Sequence, residues 1–266
     1  MSFAKATILR RCTRTENSMN KNILFVLEGA KTEPRLLKHL VTFMRNQEKY
    51  EVFTYRTNIH AMLEELFEDD EIDMDLDFIE CLRSCKTNRD QNDLLNKKYT
   101  DIFLFFDMDP HDQRYDAGKL TKAMDYFNDS TENGKLYLNY PMIESFRHIE
   151  NLDDLSYLNT TVSLSEIKNY KALVEKTGLH SLSDISKIDS RTLKRIIVLN
   201  LRKANMIATG SCNLPDMDAY ERCITQKILF SRQLDKFEEE GRIYVLNTCV
   251  FNTVDYMGGR FFDSIE

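Results

Sequence analysis

Two short stretches of the chain are apolar at every position. Ile23–Leu27 (ILFVL) and the run after Asp101 in DIFLFF lack the alternation of a half-solvated strand. Apolar runs of this length suit central parallel strands that are buried on both faces. The first is followed by the turn-forming EGAKT and then by PRLLKHLVTFM, in which Leu36, Leu37, Leu40, Val41 and Met44 recur at helical spacing and Pro34 suits a first helical turn. EVFTYRT predicts a second strand and HAMLEELFEDD a second helix, and FIECLRS and NDLLNKKY continue the alternation. After DIFLFF, AGKLTKAMDYFND predicts a helix, KLYLNY a strand, and PMIESFRHI a helix opened by Pro141. Repeated strand–helix units over 21–150 imply an α/β fold, with a mostly parallel sheet flanked by helices and joined by right-handed crossovers.

Beyond about residue 150 the pattern becomes helical. SLSEIKNYKALVEKTG stops at Gly178, DSRTLKRIIVLNLRKANMIA is a long amphipathic segment capped by Asp189 or Ser190, and DMDAYERCITQKILFSRQLDKFEEEG ends at Gly241. RIYVLNTCV then returns to strand pattern. The organisation expected is a basic arm (1–20), an α/β core (21–150), a helical block inserted at 151–240, and a terminal strand (241–266) that rejoins the sheet.

Composition narrows the function. A 42% hydrophobic content supplies a proper core, so covalent staples are unnecessary. The six cysteines show no C-x-x-C pair and no zinc-ligand spacing, and are read as reduced thiols of a cytoplasmic protein. No stretch approaches the roughly 20 apolar residues of a bilayer span, so no membrane association is expected. A net charge of −7 argues against a surface coated with phosphate-binding side chains, though a local basic patch is compatible with nucleic-acid binding. The acidic run Glu68–Asp77 lacks the Gly turn and terminal Glu of a calcium loop and reads as a solvated segment.

Candidate chemistry sits at two strand ends. Ligands of open parallel sheets bind beyond the carboxyl ends of strands. Glu28 follows ILFVL, and Asp107 and Asp109 follow DIFLFF. Were the strands neighbours, three carboxylates would meet at one rim, where a hard divalent cation relieves their repulsion. Alternation along an extended chain would point Asp107 and Asp109 the same way, with Met108 turned to packing. Gly29 would let a phosphate or backbone approach closely.

L-E-G-x-K-T-E-P after the first strand and F-D-x-D after a later one resemble the TOPRIM signature, over roughly residues 21–150. The wording E-G-A-K-T-E-P, the small size and the later helical block are most similar to the stand-alone TOPRIM proteins of bacterial phage defence, the RloB and AriB type. The resemblance implies a nuclease dependent on Mg²⁺ or Mn²⁺, acting as a toxic defence effector on RNA, including tRNA, or on DNA, and paired with an ATPase subunit. It puts Glu28, Asp107 and Asp109 on the acidic metal-binding positions and implies a further metal-associated Glu33, with Lys31 steadying a phosphate oxygen. Glu144, after the Y-P turn, joins the metal set on the same grounds. His111 and Asp112 are candidates for a base or an outer contact. The remaining histidines, His39, His60, His148 and His180, show no partner pattern.

For nucleic-acid contact, Arg191, Lys194, Arg195, Arg202 and Lys203 concentrate positive charge on one helix, the first three at i, i+3 and i+4. Arg10, Arg11 and Arg14 are a second choice. Two other readings stay open. An apolar strand followed by D-x-D also opens haloacid-dehalogenase phosphatases, although His111 stands where those carry Thr or Val. The chain, which has no Walker A loop, could instead be a non-catalytic TOPRIM-like subunit that regulates an ATPase complex. Self-association into a homo-oligomer is compatible with either reading.

Overall fold

A computed structural model describes residues 21–44, 48–68, 71–72 and 76–265. The expected basic arm with Arg10, Arg11 and Arg14, and much of the acidic run, lie outside these residues. The strands are β1 (Asn22–Leu27), β2 (Lys49–Thr54), β3 (Phe67–Glu68), β4 (Glu71–Ile72), β5 (Asp101–Asp107), β6 (Asn128–Asp129), β7 (Gly134–Asn139), β8 (Thr161–Ser163) and β9 (Arg242–Tyr244). Helices α1 (Thr32–Leu40), α2 (Ile59–Leu66), α3 (Phe78–Ser84), α4 (Asn92–Leu95) and α5 (Ala117–Tyr126) fall between or beside the sheet strands. They are followed by α6 (Leu164–Ile167), α7 (Tyr170–Thr177), α8 (Ser190–Thr209), α9 (Met217–Cys223), α10 (Gln226–Glu240), α11 (Phe251–Met257) and α12 (Gly259–Asp263).

The main sheet has the order β2-β1-β5-β7-β6, parallel throughout except for the short antiparallel edge β6. The two wholly apolar runs pair directly, with Ile23 opposite Asp101 and Leu27 opposite Phe105. Residues 23–27 and 104–106 have no exposed surface. Phe25 lies against Phe103 and Phe105 with ring centroids at 5.5 and 5.7 Å, and Phe105 meets Tyr137 edge-on. Each such side chain contributes roughly 1.5–3 kcal/mol by leaving water. The chain leaves β1 toward β2 on one side, while β5 lies on the other, so the strand order reverses between β1 and β5. This is the topological switch point at which open sheets bind ligands.

Several segments differ from the pattern-based reading. FIECLRS and the start of NDLLNKKY are both helical. Asp77 caps the first, its carboxylate accepting from the backbone N–H of Ile79 and Glu80. PMIESFRHI forms only a 3₁₀ turn over Ile143–Arg147, after a cis Tyr140–Pro141 bond, and the Ile143 carbonyl an α-helix would use accepts from Asn247 Nδ2 at 3.0 Å. The helix expected over 217–240 is broken before Gln226, where Thr225 caps the second part.

The terminal strand also differs. β9 pairs antiparallel with β8 in a separate two-stranded ladder rather than joining the main sheet. On the main sheet β6 flanks only Gly134 and Lys135 at the start of β7, and the returning chain meets the far end of that strand. Contact with the sheet is made by one bridge, Tyr140 with Leu246, and by side chains: Thr248 Oγ1 donates to the Leu138 carbonyl at 2.9 Å. The helical block packs onto the same layer, α10 against α5 and α7 against the 143–147 turn.

Candidate active site: an acidic cluster at the switch point

β1 continues one residue past its last strand position, because the Glu28 N–H donates to the Phe105 carbonyl and the Glu28 carbonyl accepts from Arg56 N–H, at 3.1 and 3.0 Å. Its backbone is therefore fixed on both sides, and its side chain turns across to β5. There Oε2 accepts from the backbone N–H of Asp107 at 3.0 Å. Asp107 ends β5 with its carboxyl buried, and Oδ1 accepts from Asn139 Nδ2 at 3.1 Å. Asn139 is the register partner of Asp107 on β7, and its own Oδ1 accepts from Cys249 N–H.

Met108 is fully buried, as its position predicts, and its carbonyl accepts from His60 Nε2 at 2.9 Å. Asp109 does not follow by strand alternation. Its φ of +41° puts it in the left-handed region, and its N–H meets the Pro141 carbonyl at 3.4 Å. The chain thus turns sharply after Asp107, and this turn, rather than the pleat, brings Asp109 back to Glu28 and Asp107.

Glu33 in the first turn of α1 is buried, and its carboxylate folds back over Gly29. A Cβ at Gly29 would stand 2.8 Å from Glu33 Oε2, so the glycine makes room for this carboxylate rather than for a backbone or phosphate. Glu144, buried in the 143–147 turn, places Oε1 3.4 Å from Lys171 Nζ, while Oε2 has no partner.

The electrostatics follow from crowding. Burial pushes the Glu28 and Asp107 carboxyls well above the usual carboxylate range, with Asp109 adding to Glu28, and Glu28 and Asp109 adding to Asp107. Burial likewise raises Asp109, against the pull of His111 and His60. Glu33 is raised by burial, and Glu144 adds to the effect. All five carboxylates feel one cation, Lys171 of α7, whose ammonium is held above its ordinary value chiefly by Glu144.

The donors are all oxygen, the set preferred by a hard divalent cation, and an unpartnered buried carboxylate oxygen is available at Glu144. The donor chemistry therefore fits such an ion. In the arrangement seen, no three His, Cys, Asp or Glu side chains among the described residues stand as a formed metal cage.

Other expected residues lie elsewhere. Lys31 is exposed at the start of α1 and makes no side-chain hydrogen bond or ion pair among the described residues. His111 is exposed, close enough to Asp109 to act on its charge. Asp112 is committed to Arg114 and Asn58, and the Arg114 guanidinium holds its carboxyl far below the usual range.

The basic helix divides. Arg191, Lys194, Arg195 and Arg202 line one groove of α8 with Asp153, Asp154 and Leu155, where Arg195 pairs with Asp153 and Lys194 donates to the Ser264 carbonyl. None of the five site carboxylates lines that groove. Lys203 does not line that groove. It is fully buried, donating to the carbonyls of Tyr157 and Thr160 at 2.7 Å with its ammonium 4.2 Å from the Tyr157 ring centroid. It falls seven residues after buried Ile196 and three after buried Asn200, on the stripe that α8 turns to the core, a signal readable from helical spacing.

Three features escape the pattern-based reading. Asn139 closes β7 at the same rim as Asp107, and its place at a strand end is a usable signal. Lys171 has none, since only the packing of α7 on the 143–147 turn brings it there. Arg35, Lys38 and His39 of α1 share a cleft with Arg147, Glu175 and Asp184, and Thr32, the chain neighbour of Glu33, also lines it. No family model, curated protein or solved structure matches the chain.

Proposed function

We propose that the chain is a metal-dependent nuclease of TOPRIM type that hydrolyses phosphodiester bonds in RNA, tRNA included, or in DNA. The observation that carries this reading is the convergence of Glu28, Glu33, Asp107, Asp109 and Glu144 at the switch point of a parallel sheet, with Lys171 against them. Carboxyls crowded in this way disfavour one another's ionised form, and a divalent cation would relieve that repulsion.

Glu28, Asp107 and Asp109 would hold Mg²⁺ or Mn²⁺, with Glu33 and Glu144 completing or backing the set. The bound ion would supply Lewis acidity at a phosphate oxygen and a water of lowered pKa. The protein's own share is positioning. The Asp107 N–H fixes the Glu28 carboxylate and Asn139 fixes that of Asp107, so two ligands are aimed before any ion arrives. The His60 contact to the Met108 carbonyl and the tight turn at Asp109 hold the third. Arg191, Lys194, Arg195 and Arg202 supply a phosphate-binding groove, and the Arg35–Lys38 cleft beside Glu33 a second, nearer to the carboxylates in the chain.

A phosphatase that uses Asp107 as nucleophile fits less well, because that carboxyl is buried, bonded to Asn139 and surrounded by like charges. The role of toxic effector in a cytoplasmic anti-phage system, with an ATPase partner, is the biological setting we attach to this chemistry. It rests on the sequence resemblance. No helix among the described residues is long and apolar enough to cross a membrane.

The test is a titration of Mg²⁺ and Mn²⁺ against mixed tRNA, single-stranded RNA and DNA. Cleavage that appears with the metal and vanishes with chelator supports the nuclease. Binding without cleavage, with metal present and candidate ATPases added, favours the regulatory-subunit reading instead.

A further inference from the structure

Lys171 stands apart from the other basic residues among the described residues. Its ammonium interacts with all five carboxylates of the cluster and lies 3.4 Å from Glu144 Oε1. Glu144 itself is buried, and its second oxygen has no hydrogen-bond partner. A half-satisfied buried carboxylate is costly, which marks Glu144 as a group kept for a second ligand. Lys171 differs from its partner in being able to leave: its side chain is 68% exposed, against 4% for Glu144. It is also supplied by α7, outside the strand–helix units that carry Glu28, Glu33, Asp107 and Asp109.

We propose that Lys171 is the built-in counter-cation of the metal-free site, and that a divalent ion takes over its carboxylates by displacing it from Glu144. This inference rests on the metal reading given above. The two cations compete for one fixed set of carboxylates. With the ammonium in place, the cluster has one positive charge set among its carboxylates, enough to lessen repulsion while the site is empty of metal. A divalent ion brings twice that charge into the same space, and ammonium and metal ion then repel each other. The lysine swings toward solvent, and Glu144 gains a partner for the oxygen that lacked one. An exposed long side chain makes this exchange inexpensive, since solvent receives the ammonium without loss. Lys171 is thus a positioning residue that sets how tightly the site takes metal, and the helical block that carries it is coupled to the state of the α/β core.

The experiment is calorimetric titration of Mn²⁺ into the full chain in the absence of nucleic acid, with thermal melting in chelator, for wild type, Lys171→Met and Lys171→Arg. The Met variant should bind Mn²⁺ roughly three- to tenfold more tightly, the scale of a partly exposed charge interaction. It should also melt lower than wild type in chelator and show a larger upward shift with Mn²⁺. The Arg variant keeps the charge and should behave as wild type. Unchanged or weaker Mn²⁺ binding by Lys171→Met, from a wild type that does bind, overturns the counter-cation role and points to a contact with substrate alone. A wild type that takes up no Mn²⁺ defeats the metal reading itself, and this proposal with it.

Discussion

The backbone N–H of Asp107 donates to the Glu28 carboxylate at 3.0 Å, joining two strand ends 79 residues apart in the chain. The bond orients one acidic side chain by the backbone of another acidic residue, which keeps the two carboxylates together despite their repulsion. Asn139 continues the line one strand further. The orientation of the Glu28 and Asp107 carboxylates is therefore built into the sheet.

The first prediction concerns Gly29. Ala there places a methyl group 2.8 Å from Glu33 Oε2 and drives that carboxylate out of its seat. The fold should survive at a cost of about 1–2 kcal/mol from overpacking. Mn²⁺ affinity should fall several-fold. Chemical denaturation and calorimetry measure the two effects separately, and unchanged Mn²⁺ affinity would remove Glu33 from the metal set.

Asp107 links stability to pH. Its carboxyl is raised by burial in the folded chain, so the folded state binds a proton more tightly than the unfolded state does. Stability from this source is fully present below about pH 4, the ordinary unfolded value, and is lost as pH rises through the folded value. Asp107→Asn retains an acceptor for Asn139 and carries no charge. In chelator it should match wild type near pH 4 and exceed it at pH 8. Urea melts at the two pH values test this, and a gap independent of pH would contradict it.

Much of this arrangement is legible in the sequence. ILFVL and DIFLFF, apolar at every position, announce central parallel strands, and an acidic residue straight after each announces the rim. What the pattern misses are consequences of packing. The positive φ of Asp109 depends on the turn toward Pro141, and no periodicity records it. RIYVLNTCV has strand composition, yet its strand pairs with β8 in a separate ladder, and Thr248 reaches the main sheet by its side chain. Lys203 reads as one more basic residue when charge is counted without regard to the buried stripe of α8.

Lys203 supplies a further test. Lys203→Met leaves the carbonyls of Tyr157 and Thr160 without their donor, at a cost of about 1–3 kcal/mol after relief of the buried charge. Its nucleic-acid affinity should equal that of wild type, measured by fluorescence anisotropy. A selective loss of affinity with stability intact would return Lys203 to the binding surface.

The α8 groove makes the opposite prediction. Replacing Arg191, Lys194 and Arg195 together by Ala should weaken nucleic-acid binding and flatten its dependence on salt, by close to one unit of slope for each phosphate that these side chains neutralise. Because they are exposed or half-exposed, stability should change by less than about 1 kcal/mol. An unchanged salt slope would shift the phosphate track to the cleft of Arg35, Lys38 and Arg147.

The central claim is that Glu28 binds a catalytic metal ion, and Glu28→Gln addresses it most directly, since the substitution preserves size and an acceptor for the Asp107 N–H while removing the charge. With RNA and DNA substrates that the wild type cuts in Mg²⁺, the rate of the variant should fall by about two to four orders of magnitude, with the melting temperature equal or higher. Cleavage by Glu28→Gln at the wild-type rate would contradict the account.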